Sequence, residues 1–134
     1  MKQIIAIIRI NMMNATKQAL IDAGFPAFTA RKVIGRGKGN VDSRVIEGAE
    51  ADAPEAIARL KDDGPMLTPR RMMTVAVSDD SVPKVIEALI RVNHTGNRDD
   101  GKIFVLPLED AVRVRTGERG AAAVNWVLKR TFYA

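Results

Sequence analysis

The sequence predicts a small α+β domain with the element order β-α-β-β-α-β, and three observations support this. The isoleucine-rich residues 3–10 are too short for a free-standing helix and favour a strand. Residues 26–35 can alternate their side chains between two faces, as a strand does. Residues 82–90 repeat apolar side chains with the period of an amphipathic helix, which is the strongest helical signal in the chain.

The first half of the chain supplies two strands and one helix. Strand one covers residues 3–10. Asn11 or Asn14 can cap a helix that runs to about Asp22 and ends at Gly24. One face of this helix would carry Met13, Thr16, Leu20 and Ala23. Strand two covers residues 26–35, and the segment 37–69 that follows has no sustained strand pattern, although residues 54–63 are compatible with a short helix.

The second half repeats the pattern. Residues 70–78 form strand three, and Ser81 then caps a helix that tolerates Pro83 in its first turn. The apolar face of this helix consists of Val82, Val85, Ile86, Leu89 and Ile90. Residues 102–108 form strand four, and residues 111–117 form a further short strand. This order is the ferredoxin-like split unit, which serves many functions and decides none of them.

Bulk properties narrow the class of protein. The 134 residues suit one domain with its own core, and 46% hydrophobic content with 28% charge is ordinary for a soluble protein. We expect no membrane span and no signal peptide. The absence of cysteine fits a cytoplasmic protein, and a single histidine, His94, makes a zinc or histidine-based site improbable.

The net charge of +5 is unevenly spread along the chain. Residues 42–63 contain seven acids and three bases, a net −4, which leaves +9 on the rest. A basic body with an acidic arm can bind anions on the body and a protein through the arm, although solvated surface charge explains the same counts.

Three short motifs place bases beside glycines. The first, GRGKG, spans Gly35, Arg36, Gly37, Lys38 and Gly39. Its glycines permit positive φ and let backbone N–H groups approach a phosphate, but ordinary turns have the same composition.

The second motif, TGNRDDGKIF, has the glycines of a phosphate-binding loop together with two acids. Gly96, Gly101 and Lys102 favour an anion, whereas Asp99 and Asp100 oppose one. A helix end followed by a plain turn is the alternative reading of this motif.

The third motif, VRVRTGE, would place Arg113 and Arg115 on one face of a strand, about 7 Å apart. Two guanidinium groups on one face can bind two phosphates. An exposed edge strand gives the same pattern.

These motifs indicate binding and not turnover, because no nucleophile–base pair or metal-spaced cluster accompanies them. An RNA-recognition module shares the topology and is the main alternative. Such modules stack bases on aromatic side chains of the central strands, and strand three has none. A nucleotide-dependent enzyme is a third, weaker reading.

In this order and on this topology, the motifs resemble the PII family of nitrogen-signalling proteins over about residues 1–124. Residues 95–118, TGNRDDGKIFVLPLEDAVRVRTGE, look like the PII signature. GFPAFTARKVIGRGK and PRRMMTVAVSDD look most like one branch, the second of two sibling regulators encoded beside nitrogenase genes.

The resemblance implies a single trimeric domain over residues 1–134, with nucleotide clefts between neighbouring subunits. ATP or ADP would lie against Thr29, Gly35–Lys38, Ala76, Asp99–Lys102, Arg113 and Arg115. Residues 37–69 would be the mobile T-loop that docks on target proteins, and residues 121–134 a C-terminal extension. In this branch the target is the molybdenum–iron component of nitrogenase, and 2-oxoglutarate with ATP relieves inhibition. The resemblance implies no nucleic-acid partner.

The sequence departs from the family pattern in four places. Gly39 stands where a glutamine usually helps to hold Mg²⁺ and 2-oxoglutarate, so we expect this effector to bind poorly to this subunit alone. Arg70 replaces a lysine that pairs with the effector, and keeps its charge. The T-loop has no tyrosine. Asp99 replaces a glycine, and its carboxylate repels phosphate unless it turns to solvent or a cation intervenes. We expect a nucleotide site that survives, whether or not Asp99 weakens it.

Overall fold

A computed structural model describes residues 1–36 and 67–124 of the chain. The strands are β1 (Lys2–Ile8), β2 (Thr29–Gly35), β3 (Thr68–Val77) and β4 (Lys102–Pro107), and the helices are α1 (Met13–Asp22), α2 (Val82–Asn93) and the short α3 (Ala121–Val124). Short 3₁₀ turns, Ile10–Met12 and Asp79–Ser81, lead into α1 and α2. The predicted βαββαβ order is confirmed.

The strands form one antiparallel sheet in the order β2-β3-β1-β4. Strands β1 and β3 are therefore central. Helices α1 and α2 contact each other, and side chains from both pack with one face of the sheet. In the part of the chain that the structure describes, no helix is long and apolar enough to cross a membrane.

The core lies between the helices and every second residue of the central strands. Alternation along β1 and β3 buries one row of side chains in each strand, because successive residues point to opposite faces. The buried apolar residues are Ile4, Ala6, Ile8, Met73, Val75 and Val77 from the sheet, and Leu20, Val85, Ala88 and Leu89 from the helices. The predicted helix faces are confirmed at Leu20, Val85 and Leu89, whereas Ile90 is half exposed.

The other face of the sheet is largely uncovered. Phe104 and Leu106 of β4 lie opposite Ile5 and Gln3 of β1, which alternate with the buried Ile4. Phe104 keeps 47% of its surface exposed, which is unusual for an aromatic side chain in the middle of a strand.

Several local predictions need correction. The cap of α1 is Met12 and not an asparagine, and no side chain caps it, because a 3₁₀ turn precedes the helix. Ser81 is the cap of α2, but its hydroxyl lies 3.2 Å from that of Ser78 and not on the helix backbone. Gly24 ends α1 as predicted, with a φ of 96°.

The boundary of the long segment also changes. Thr68 and Pro69 belong to β3, since they pair with Gly35 and Ile34 of β2. The predicted T-loop of residues 37–69 therefore loses its last two residues to the strand. The helix predicted within residues 54–63, and residues 125–134 of the tail, lie outside the described residues.

Candidate functional site

The loop between α2 and β4 contains two glycines with positive φ. Helix α2 ends at Asn93, and the chain reaches β4 through residues 94–101. Gly96 and Gly101 adopt φ values of 88° and 121°, which disfavour any residue with a side chain. The backbone conformation at these two positions therefore requires glycine.

Gly101 has a second constraint. A Cβ added to Gly101 would lie less than 3.0 Å from the carbonyl oxygen of Ile7, a distance that Cβ atoms in proteins essentially never show. At Gly101 the chain therefore runs very close to the backbone of β1. Lys102, the next residue, begins β4 opposite Ile7 and is exposed. An exposed lysine at the rim of a glycine loop is the arrangement expected of a phosphate contact.

The Asp100 carboxylate organises this loop. It accepts hydrogen bonds from the backbone N–H groups of Thr95 (2.7 Å) and Gly96 (2.8 Å), and from the Thr95 hydroxyl. Arg9 donates from Nη2 at 2.8 Å. Desolvation raises the pKa of Asp100, but the bonds from Thr95 and Gly96 and the charge of Arg9 outweigh it and lower the pKa to about 2.

Asp100 therefore acts as an internal anion of the loop. The sequence motif suggested that both acids would oppose a bound phosphate. The charge of Asp100 is instead balanced by Arg9 and by backbone N–H groups.

Arg9 anchors the loop from inside the domain, and the sequence analysis missed it. It follows β1 and is only 5% exposed. Its Nη2 also reaches the Asn93 carbonyl oxygen at 3.2 Å and the Thr95 hydroxyl at 3.4 Å. The available signal was a lone arginine in an isoleucine-rich strand, because a buried arginine requires an anionic partner.

Asn93 extends the network into the core. Its amide nitrogen donates to the Thr16 hydroxyl at 3.1 Å and to the Leu89 carbonyl oxygen at 3.0 Å. Thr16 is fully buried and donates to the Met12 carbonyl oxygen at 2.7 Å. These bonds tie the end of α2 to α1, so the helix pair fixes where the loop begins.

Arg70 and Asp99 meet at the other side of the loop. Nη1 of Arg70 donates to the Asp99 backbone oxygen at 2.5 Å. The pKa of Arg70 is lower than its ordinary value, mainly because the side chain is buried. The negative charge of Asp99 acts against this shift, and the positive charge of Arg9 adds to it. Asp99 Oδ2 is inaccessible to solvent and has no hydrogen-bond partner among the described residues.

The predicted arginine strand is wrong. Residues 111–120 form a single bridge, Val112 with Arg119, around a tight turn. Arg113 closes the turn, since its N–H donates to Glu118 O at 2.9 Å and its carbonyl accepts from Gly117 N at 2.8 Å. Four alternating residues are too few to distinguish a strand from this turn.

The two arginines consequently have different surroundings. Arg113 is half-buried, and its Nε donates to the Ala123 carbonyl oxygen at 3.2 Å, which holds α3 in place. Arg115 lies exposed in the turn. They do not share a strand face, so of the two only Arg115 presents an exposed guanidinium to a ligand.

The remaining predicted residues fall at two ends of the sheet. Gly35 ends β2 and pairs with Thr68, and Arg36 is the next residue of the chain. Gly35 has no positive φ and nothing within 4 Å of an added Cβ, so the conformational reason given for this glycine is wrong. Gly37, Lys38 and Gly39 lie outside the described residues.

Thr29 and Ala76 lie toward the opposite end. Thr29 pairs with Thr74, and Ala76 pairs with Gln3, whereas Lys102 pairs with Ile7. Ala76 is six residues from Arg70 along β3, or about 20 Å at the usual rise. Within one chain, the predicted contacts therefore form two separate groups.

A groove adjoins the loop on the helical side. It has a volume of about 540 Å³ and runs between α2 and β4. Its walls are mostly apolar, including Ile86, Ile90 and Val105, and Asp100, Gly101 and Lys102 form one end. Apolar walls with a few polar groups at one end are typical of small-molecule sites.

The described residues offer no support for a metal site or for a surface that stacks RNA bases. No group of three or more histidine or acidic side chains that could hold a metal is found there. The central strands β1 and β3 contain no aromatic residue for stacking RNA bases.

Comparison with known proteins gives one consistent result. The family model described as nitrogen regulatory protein P-II matches residues 1–118. A "Nitrogen fixation nifHD region GlnB-like protein 2" of Methanothermobacter marburgensis is 42% identical over 126 residues, which covers 92% of this chain and 100% of the relative. A protein of the same description from Methanococcus maripaludis is 46% identical over 125 residues, with the same coverage. A "nitrogen regulatory protein P-II" of Azospirillum brasilense is 34% identical over 124 residues, also covering 92% and 100%.

Proposed function

Because the chain belongs to the P-II family of nitrogen regulatory proteins, we propose that it binds an adenine nucleotide and uses this binding to control a protein of nitrogen metabolism. Members of this family are regulatory signalling proteins and not enzymes. The names of the archaeal relatives place them in nitrogen-fixation gene regions. They favour nitrogenase, and specifically its molybdenum–iron component, as the controlled protein.

The observation that carries the nucleotide proposal is the loop of residues 94–101. Its backbone is held by Asp100 and Arg9, and Gly101 lies on β1 so closely that no side chain fits. Such rigidity lets backbone N–H groups and Lys102 meet a phosphate without first being ordered. The adjoining apolar groove offers a surface for the base.

The division of the candidate residues supports a site shared between subunits. Gly35, Arg36 and the loop lie at one end of the sheet, while Thr29 and Ala76 lie toward the other. The turn that carries Arg115 follows β4 at its Pro107 end, which is the end nearer Ala76. A nucleotide that contacts both groups requires two chains, and the open sheet face with Phe104 and Leu106 supports a trimer, of this chain alone or with a sibling subunit.

The segment between β2 and β3 is the proposed docking element. Gly35 pairs with Thr68, so the residues that flank this segment lie side by side, and Arg70, two residues farther along β3, contacts Asp99 of the 94–101 loop. Its acidic part, residues 42–63, contrasts with the basic remainder. We propose that it contacts the regulated protein and that nucleotide binding controls that contact.

The 2-oxoglutarate response is proposed to be weak in this subunit. Gly39 has no side-chain oxygen for Mg²⁺, and Arg70 has donors only and cannot replace a metal ligand. A sibling subunit with a glutamine at this position would then supply the response.

The test is calorimetric titration of the full chain with ATP, with ADP and with a single-stranded oligonucleotide, together with light scattering for the oligomeric state. We expect saturable binding of ATP or ADP to a trimer. Binding of the oligonucleotide alone would contradict the proposal and favour the RNA-binding alternative.

A further inference from the structure

The helical side of β4 is only partly covered by α2. Alternation along β4 places Ile103 and Val105 on this side of the sheet, opposite to Phe104 and Leu106. Val105 keeps 42% of its surface exposed, and Ile90, on the α2 wall of the same groove, keeps 51%. The groove is therefore an apolar surface that nothing among the described residues covers.

The groove continues along the flank of α2. A second hollow of about 690 Å³ shares Ile86 and Ile90 with it and reaches Val82 and Pro83 in the first turn of the helix. Val82, Ile86 and Ile90 follow one another at intervals of four residues, so they form one stripe along α2. We call the whole channel, between this stripe and β4, the α2–β4 groove. It follows most of the 12-residue helix, which is about 18 Å long at the usual rise per residue.

The ten residues 125–134, NWVLKRTFYA, lie outside the described part of the chain and have a composition suited to this groove. They include Trp126, Phe132 and Tyr133, which are three of the six aromatic residues of the sequence (four Phe, one Trp and one Tyr). Contact with water is unfavourable for such side chains, so the segment gains free energy by binding an apolar surface. The P-II family model ends at residue 118, so the segment is not part of the shared domain.

The described chain ends near the end of the sheet at which α2 begins. Leu108, which follows β4, donates its N–H to the Met1 carbonyl oxygen at 3.1 Å, and the turn of residues 111–120 comes next and is bonded to α3. At this same end of the sheet, Lys2 pairs with Val77, and a 3₁₀ turn leads from there into α2. Ten residues span up to about 33 Å when extended, which exceeds the length of α2. The segment is long enough to enter the groove beside the first turn of α2 and to follow it.

We infer that residues 125–134 of this chain bind in the α2–β4 groove through their aromatic side chains. A second copy of the chain is a less suitable occupant, because the proposed trimer uses the opposite face of β4, with Phe104 and Leu106. The inference goes beyond the proposed function, since it assigns a docking surface on α2 and β4 and requires no nucleotide.

The test uses Trp126, the only tryptophan of the sequence, as a reporter in the full chain. Its emission maximum and its quenching by acrylamide are measured in the unmodified protein and in Ile90→Gln combined with Val105→Thr. Both side chains are about half exposed, so the substitutions should leave the fold intact, and a thermal melt checks this. We expect blue-shifted, protected emission from the unmodified protein. In the double variant, the emission should shift to the red and the quenching should increase.

Ile21→Gln is the matched control. Ile21 is a 37% exposed isoleucine on α1, away from the residues that line the groove, so this variant should leave the Trp126 emission unchanged. A solvent-exposed Trp126 in the unmodified protein would overturn the inference. So would emission that the groove variant does not shift, or that Ile21→Gln shifts equally.

A contact measurement locates the segment directly. The sequence contains no cysteine, so Arg91→Cys at the exposed rim of the groove gives a single attachment point for a bimane fluorophore, which tryptophan quenches on contact. We expect quenching that is lost when Trp126→Phe is added. A bimane on Lys17→Cys, at an exposed position of α1, should emit equally with and without Trp126. Equal emission with and without Trp126 at position 91 would overturn the inference, whereas the proposed function fails separately, if the chain binds neither ATP nor ADP.

Discussion

Gly101 lies on the backbone of β1, where a Cβ would overlap the carbonyl oxygen of Ile7. This close approach joins the start of β4 to the end of β1 and fixes one end of the 94–101 loop. It also explains why the loop has a glycine immediately before Lys102.

Substitution of Gly101 by alanine should destabilise the protein strongly. A φ of 121° costs about 1–2 kcal/mol for a residue with a side chain, and the overlap with Ile7 adds to it because backbone must move. We expect a loss of about 2–4 kcal/mol in the free energy of unfolding, measured by chemical denaturation.

Two other glycines serve as matched controls. Gly96 has positive φ but open space, so Gly96→Ala should show only the conformational cost of about 1 kcal/mol. Gly35 has neither constraint, and Gly35→Ala should change stability by less than about 0.5 kcal/mol. Equal effects at positions 101 and 35 would refute the steric explanation.

Asp100 should make stability depend on pH in the acid range. Its pKa is about 2 in the folded protein and ordinarily 3.8, so the charged form stabilises the fold. This stabilisation is fully present above pH 4 and is lost as the pH falls toward 2. Asp100→Asn should therefore be less stable at pH 7 by about 1–2 kcal/mol.

The diagnostic result is that the stabilities of the unmodified protein and of Asp100→Asn converge as the pH falls. The difference in unfolding free energy between Asp100→Asn and the unmodified protein should shrink between pH 4 and pH 2. Glu87→Gln, an exposed substitution on α2, should show no such convergence. A difference that stays constant down to pH 2 would mean that the carboxylate charge contributes nothing.

Removal of residues 42–63 should leave the fold and the oligomer intact. The ends of the segment are held by the Gly35–Thr68 pairing, so a short connection is sufficient. We expect an unchanged circular dichroism spectrum and oligomeric mass, with loss of binding to the regulated protein in a pull-down with the nitrogenase molybdenum–iron component. Unfolding of the shortened chain would show that the segment is structural.

Restoration of a metal ligand should strengthen effector binding. In calorimetry with saturating Mg-ATP, the unmodified chain should bind 2-oxoglutarate poorly, and Gly39→Gln should bind it more tightly because the amide oxygen completes the Mg²⁺ coordination. Gly39→Ala is the control without an oxygen. Tight, Mg²⁺-dependent binding by the unmodified chain alone would show this prediction to be wrong.

The main elements could be predicted from sequence because their signals are local. The helical period of the apolar residues in 82–90 predicted α2, and the isoleucine-rich start of the chain predicted β1. The turn at residues 111–120 was mistaken for a strand, since hydrogen bonds between Arg113 and Glu118 and between Gly117 and Arg113 override the four-residue alternation.

The interior of the candidate site was not predictable in the same way. Arg9 and Asp100 are 91 positions apart, and Thr16 and Asn93 are 77 apart. No local pattern relates such residues, and the partners of a buried polar group are decided by tertiary packing. The loop motif indicated a binding site, but it did not show that the Asp100 carboxylate binds groups of the loop itself. Nor did it show that Oδ2 of Asp99 has no hydrogen-bond partner among the described residues.

The most direct test of the central claim, that this chain binds nucleotide phosphates, is ATP calorimetry of the variant that combines Arg113→Ala with Arg115→Ala. Each charge-assisted contact is worth about 1.5–3 kcal/mol, so the variant should bind ATP at least about tenfold more weakly. Arg115→Ala alone should weaken binding without changing stability, because Arg115 is exposed, whereas Arg113 also holds Ala123. Arg119→Ala, at an exposed arginine of the same turn, should bind as the unmodified chain does. Unchanged ATP affinity in the folded double variant would contradict the account.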